Sequence, residues 1–285
     1  MKPKTTWQYV VDQEWLAANL DNPNVCIADC RFALADASLG RKQYEEGHIP
    51  GAQYFDLDQD LSSPIGPHGG RHPLPDTEAL TAKLRQAGIS RDTLVVVYDN
   101  QFGGMAGRLW WLLKYYGHQQ VKVLNGTFDG WVANGYPTTT DVVSRSAGDF
   151  EPRLQRQLLA TVDDIWDTLE FGKDIFIDAR EVVRYQGRLE PIDPVAGRLP
   201  GARNAFWRDT TDEQGIWHCR PLAKTVADLP KDYPLIVYCG SGVTACPVVL
   251  GLMDLGYTDV RLYAGSWSDW ITHNAFHCET DLDHM

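Results

Sequence analysis

The sequence has no long apolar run. Nowhere does it approach the roughly 18 consecutive apolar residues of a membrane span, and its opening stretch MKPKTTWQYVVDQEW lacks the apolar core of an export signal. It is also poor in cations: 26 Lys and Arg stand against 38 Asp and Glu, a formal net charge of −12. That balance argues against a nucleic-acid-binding surface, because neutralising phosphates takes clustered Lys and Arg. No Cys-x-x-Cys pair occurs, and His273, His277, Cys278 and His284 lack the regular spacing of a structural zinc finger, so no metal site is expected. Neither a Gly-x-x-x-x-Gly-Lys loop nor a dinucleotide fingerprint is present, the glycines from Gly66 to Gly70 read as loop, and no cofactor is implied. These absences predict a soluble cytoplasmic protein with no membrane or nucleic-acid partner.

What is present points to a duplicated α/β protein. A chain of 285 residues exceeds the usual domain of roughly 100–200 residues, and its first half returns in its second. Asp29-Cys30-Arg31 recurs as Asp178-Ala179-Arg180, and Ile49-Pro50-Gly51-Ala52 as Leu199-Pro200-Gly201-Ala202. Val95-Val96-Val97-Tyr98 recurs as Leu235-Ile236-Val237-Tyr238, and the run from Gly117 to Trp131 as Gly256 to Trp270. A period this long means tandem domains and not a solenoid. The predicted boundaries are 1–138 for the first domain, 139–157 for a polar linker and 158–285 for the second. The apolar runs 94–98 and 235–238 read as parallel strands covered on both faces. Ala106–Tyr116 and Cys246–Leu255 read as helices, each ending near a capping glycine, Gly117 or Gly256. Each domain is thus expected to be a parallel sheet flanked by helices, with Trp110, Trp111 and Tyr115 in the core.

The six cysteines, at 26, 30, 219, 239, 246 and 278, read as free thiols, because the chain is long and carries no export signal. One of them has a distinctive setting. Cys239-Gly240-Ser241-Gly242-Val243-Thr244 follows a buried strand and opens a helix, the end of an α/β sheet where ligands bind. Two glycines permit a tight curl that turns backbone N–H groups inward, the helix near Ala245 adds its positive end, and Pro247 is tolerable in a first turn. A thiol in such a cradle is expected to ionise readily and act as a nucleophile. Were it sealed from solvent and protonated at neutrality, it could not serve. The remaining five cysteines have no such loop and read as small packing residues.

On these residues the chain resembles the two-domain rhodanese family. The loop Cys239-Gly240-Ser241-Gly242-Val243-Thr244 is similar to that of its 3-mercaptopyruvate sulfurtransferases. Gly47-His48-Ile49-Pro50-Gly51-Ala52 and Gly265-Ser266-Trp267-Ser268-Asp269-Trp270 support the match. The resemblance implies that only the second domain reacts, and Asp99 does stand at the first-copy position of Cys239. It implies sulfane sulfur taken from 3-mercaptopyruvate onto Cys239 as a persulfide, then passed to a thiol such as thioredoxin or a small thiol, or to cyanide. Ser241, His72 and Asp58 match a proton relay, with His68 a rival to His72. Arg184 matches an arginine that clamps the substrate carboxylate, and Gly240, Gly242, Val243 and Thr244 line the loop.

Two departures bear on the donor. The mercaptopyruvate branch carries a second arginine about nine residues after the first, where this chain has Asp193. Thiosulfate-using relatives put basic residues just after the cysteine, where this chain has Gly240 and Ser241. Arg188, or Arg198 in place of a usual histidine, is expected to supply the missing charge. Thiosulfate:cyanide transfer is the alternative donor reading, and a non-catalytic rhodanese-like binding or sulfur-carrier module the alternative of another class. A cysteine phosphatase needs an arginine closing the loop where this chain has Ala245, and no nucleophile-elbow pattern surrounds Ser241.

Overall fold

The computed structural model describes residues 7–274 and 276–281, so His284 lies outside the described residues. Among the described residues two five-stranded sheets form, and the strands within each pair in parallel. The first contains β1 (Val10–Val11), β2 (Val25–Asp29), β3 (Gln53–Tyr54), β4 (Leu94–Tyr98) and β5 (Val121–Leu124), in the order β1-β5-β4-β2-β3. The second repeats that order with β6 (Leu159–Ala160), β10 (Val260–Tyr263), β9 (Leu235–Tyr238), β7 (Ile175–Asp178) and β8 (Arg203–Asn204). β2 and β9 are buried at every residue, as strands covered by helices on both faces must be. Helices at Gly104–Tyr115 and Cys246–Asp254 follow the central strands, and Gly117 and Gly256, both at φ +88°, end them in the left-handed conformation. Trp110, Trp111 and Tyr115 are buried.

Two compact units result, and they do not follow the chain linearly. One comprises the chain up to Leu61, Pro75–Leu154 and Thr211–Trp217; the other comprises Ser62–Leu74, Gln155–Thr210 and the chain from His218 on. The second unit therefore takes in a loop from the first half of the sequence. The loop is held by backbone: the Gly69 N–H donates to Asp269 Oδ1 at 2.7 Å and the Arg71 N–H to Ser268 Oγ at 3.1 Å.

The same polar core recurs in each unit. Arg31 grips Asp29 at 2.6 Å and the Gly47 carbonyl at 2.7 Å; Arg180 grips Asp178 at 2.7 Å and the Gly197 carbonyl at 2.6 Å. Both arginines are buried, which a guanidinium tolerates only when its charge and donors are matched. Each pair fixes the end of a strand, β2 or β7, beside the central strand. Ala179 N–H reaches the Tyr238 carbonyl at 2.8 Å, as Cys30 N–H reaches that of Tyr98. After β7 the chain turns outward to β8, and after β9 it turns the opposite way to β10. The carboxyl ends of β7 and β9 thus flank the topological switch point, where α/β sheets open a crevice.

Candidate active site

Cys239 is the first residue past β9. It is 1% exposed, so the thiol is buried as a sealed packing cysteine would be. Its ionisation is not that of a packing cysteine. Burial pushes the thiol up, but a hydrogen bond from the Thr244 side chain and others from the Ser241, Ala245 and Gly242 N–H groups outweigh it, leaving the thiol below its ordinary value. Cys26 shows burial prevailing, with its thiol raised to about 11 although the charge of Arg145 pulls it down, and Cys30 and Cys219 are raised as well. Cys246 is buried, with its thiol directed at the Gly242 carbonyl at 3.4 Å, and Cys278 is exposed; none of the six cysteines is in a disulfide.

The loop glycines serve different ends. Gly242 has φ +72°, and a Cβ there would run into the Ala264 carbonyl, so the curl that turns N–H groups onto the sulfur needs glycine. Gly240 is not left-handed. A Cβ on Gly240 would lie 2.8 Å from Arg71 Nη2 and 3.3 Å from Arg184 Nη2, so this position is kept bare by two guanidinium groups. Val243 is buried, and Thr244 contributes the side-chain hydrogen bond to the sulfur. Behind the loop, the Cys239 N–H donates to Ser266 Oγ at 3.0 Å, and Ser266 Oγ donates to the Tyr263 carbonyl at 2.9 Å. Ser266 sits at φ +54°, a left-handed conformation uncommon outside glycine. The Trp267 and Ser268 N–H groups then reach the carbonyls of Cys239 at 3.0 Å and Gly240 at 2.9 Å.

His72 Nδ1 lies 2.9 Å from Ser241 Oγ, and both residues are buried in the second unit. Asp58 belongs to the first unit, where burial and the neighbouring Asp56 raise its carboxyl. His68 turns elsewhere, with Nδ1 at 2.8 Å from Thr272 Oγ1.

Arg184 is held by Glu190 at 2.8 Å and Asp193 at 3.1 Å. Asp193 also pairs with Arg71. The expected substitutes lie differently. Arg198 spends its guanidinium on Glu279, on Asp281 at 2.7 Å and on the Tyr185 carbonyl at 3.1 Å, which ties it to the C-terminal segment. The Arg188 side chain is exposed. The second guanidinium over Gly240 comes instead from Arg71, 113 positions before Arg184 in the sequence. Sequence reasoning passed over Arg71 and Ser266; Arg71 directly precedes His72 and Ser266 lies inside the Gly265–Trp270 motif, but only folding sets them against the cysteine loop.

One group in the second unit has the residue types of a metal site. His68, Asp269 and His273 bring one ligand atom each within 4.8 Å of one another. The two imidazoles, however, are stacked 4.5 Å apart and within 10° of parallel, so their lone pairs run side by side instead of converging on one ion. Asp269 is already engaged by Gly69 N–H and by the Tyr263 hydroxyl at 2.5 Å.

A strand-to-helix loop that stabilises a thiolate at the switch point of a parallel sheet defines a class, one that comparison with known proteins identifies. The family model for the rhodanese-like domain matches twice, over residues 12–134 and 161–273. The chain belongs to the rhodanese family, with two such domains. It is 42% identical to the probable 3-mercaptopyruvate sulfurtransferase of Pseudomonas aeruginosa, over 90% of this chain and 93% of the relative. With the thiosulfate sulfurtransferase of Rattus norvegicus it shares 31% identity, over 95% of this chain and 94% of that one. Among solved structures, SseA from Escherichia coli, a 3-mercaptopyruvate sulfotransferase, superposes with a TM-score of 0.80 at 31% identity, covering 93% of this chain and 100% of SseA.

Proposed function

We propose that this enzyme is a sulfurtransferase that moves sulfane sulfur from 3-mercaptopyruvate to a thiol or cyanide acceptor through a persulfide on Cys239. The observation that carries the reading is a buried thiol whose ionisation is favoured by inward N–H groups and Thr244, in defiance of its burial. The Cys239 thiolate attacks the donor sulfur; the carbon–sulfur bond breaks, its electron pair leaves with pyruvate enolate, and the outer sulfur stays on Cys239. The enolate then takes up a proton. Ser241 and His72, 2.9 Å apart, are proposed to deliver it, and the part given to Asp58 rests on the resemblance alone. A thiolate acceptor, thioredoxin-like or small, attacks the outer sulfur and releases Cys239.

Thiosulfate as donor is the second reading. It is favoured by Asp193 standing where the mercaptopyruvate branch carries arginine, and by the rat relative. Against it, the residues after Cys239 are uncharged. We place the protein in the cytoplasm; among the described residues no helix is long and apolar enough to cross a membrane.

The test compares both donors, with cyanide and with a dithiol as acceptors, in wild type and Cys239→Ser. Intact mass after donor treatment is expected to rise by one sulfur in wild type only, and turnover to fall at least about a thousandfold in the variant. Equal low turnover in both proteins would leave a non-catalytic module. Faster turnover of thiosulfate than of mercaptopyruvate would reverse the donor assignment and leave the chemistry standing.

A further inference from the structure

Asp193 is an anomaly in a site meant for an anion. Its side chain is only 3% exposed, and it gives one carboxylate oxygen to each of two guanidinium groups: Oδ1 to Arg71 and Oδ2 to Arg184. Both guanidiniums hang over Gly240, next to the reactive sulfur. The charge of Cys239 acts on Arg71, as do those of Arg184, Glu190 and Arg180. Two oxygens shared between two planar donors is the arrangement a bound carboxylate would adopt.

We infer that Arg71 and Arg184 together form the anion-binding part of the donor site, and that Asp193 is an internal carboxylate which occupies that part and competes with the donor. The inference rests on the proposed reading of Cys239 as the sulfur acceptor from an anionic donor.

Charge counting supports an exchange over an addition. Arg180 is matched by Asp178 at 2.7 Å and Arg184 by Glu190 at 2.8 Å, which leaves Arg71 matched by Asp193. A donor carboxylate added to this set would bring one more negative charge beside a thiolate. Exchanged for Asp193, it leaves the balance unchanged. The exchange also needs little movement. The Asp193 N–H is fastened to Glu190 Oε1 at 3.1 Å, alongside that of Ile192, and the Trp267 indole holds the Val195 carbonyl at 2.8 Å. With the backbone pinned on both sides, rotation of one short side chain frees both arginines.

The probe is pyruvate, a carboxylate without transferable sulfur, titrated by calorimetry into the Cys239→Ala protein and into its Asp193→Asn and Arg71→Met derivatives. Asp193→Asn is expected to tighten pyruvate binding about tenfold, and Arg71→Met to weaken it about tenfold. In the Arg71→Met background Asp193→Asn is expected to gain less, because only Arg184 remains to be freed. In the Cys239-containing protein, Asp193→Asn should lower KM for 3-mercaptopyruvate, with kcat little changed. Thermal melts establish that each variant is folded, and Asp193→Ser replaces Asn if the amide disturbs the Glu190 turn. Unchanged or weaker pyruvate binding in both Asp193 variants would overturn the inference, because Asp193 would then be orienting the arginines and not competing for them. If pyruvate binding responds as expected while wild type forms no persulfide, the anion site stands and the sulfur-transfer reading falls.

Discussion

The loops after β4 and β9 close a similar shell of N–H groups around different atoms. In the first unit the centre is Asp99, 2% exposed. Its Oδ1 accepts from Gln101 and Gly103 N–H, both at 2.9 Å, and its Oδ2 from Met105 and Ala106 N–H, both at 2.8 Å. In the second unit the centre is the Cys239 sulfur, which accepts from Thr244 and from Ser241, Ala245 and Gly242 N–H. Behind each loop the following helix makes the same tie: Phe128 N–H to the Asp99 carbonyl and Trp267 N–H to the Cys239 carbonyl, each at 3.0 Å. The ionisation differs in sign. Burial raises the Asp99 carboxyl despite four donors, whereas in the Cys239 loop the donors overcome burial. A thiolate is larger than a carboxylate oxygen and its charge more diffuse, so removing it from water costs less and a few hydrogen bonds decide the outcome. The fold thus supplies an anion cradle twice; the residue at its centre makes one a structural plug and the other the proposed nucleophile.

Five single substitutions probe that difference, from the largest effect to the smallest. Cys239→Ser is expected to remove at least about a thousandfold of turnover, or ~4 kcal/mol of transition-state stabilisation, and to abolish the added sulfur mass. Asp99→Asn, in the other cradle, is expected to leave turnover near wild type and to cost about 3 kcal/mol of unfolding free energy, because the amide turns N–H groups against buried N–H donors. Denaturant melts measure that cost; a large loss of turnover with no loss of stability would mean that the first cradle takes part in the chemistry.

Ser241→Ala and His72→Ala are each expected to lower kcat with 3-mercaptopyruvate about a hundredfold. The double variant should be little worse than either if the pair at 2.9 Å acts as the one relay proposed. Additive losses would mean independent roles.

Thr244→Val is expected to raise the pH midpoint of Cys239 alkylation by about one unit, by deleting one hydrogen bond to the charged sulfur. The sign follows from the lowered thiol. Ionised Cys239 adds stability above the ordinary thiol value near 9.0, and that contribution is lost as pH falls through the lowered folded value. Cys239→Ser should therefore narrow the stability gain between those two pH values and leave acid stability alone. A midpoint unmoved in Thr244→Val would assign the lowering to the backbone N–H groups.

Much of this site was legible in the chain. The Cys239 loop announced itself through its glycines between a strand and a helix, and the strands at 94–98 and 235–238 fall where the apolar runs lie. Both loop glycines were read as permitting a tight curl; Gly242, at φ +72°, is left-handed, whereas Gly240 is not and instead lies close to two guanidinium groups. The site's cations were harder to place. Arg188 and Arg198 looked available because they lie near Arg184 in sequence, but Arg198 is bound to Glu279 and Asp281, and Arg71 reaches the loop from Ser62–Leu74.

Local pattern alone settled the duplication and the α/β class and singled out the Cys239 loop, because strand burial, turn glycines and helix starts are encoded within a few neighbouring residues. Tertiary structure decided which distant side chains gather at that loop: Arg71 and His72 joining the second unit, and Asp193 lodged between two arginines. Partners of that kind are chosen by long-range packing, since a buried guanidinium or imidazole settles wherever the folded chain can match its charge and its donors, at any distance along the sequence.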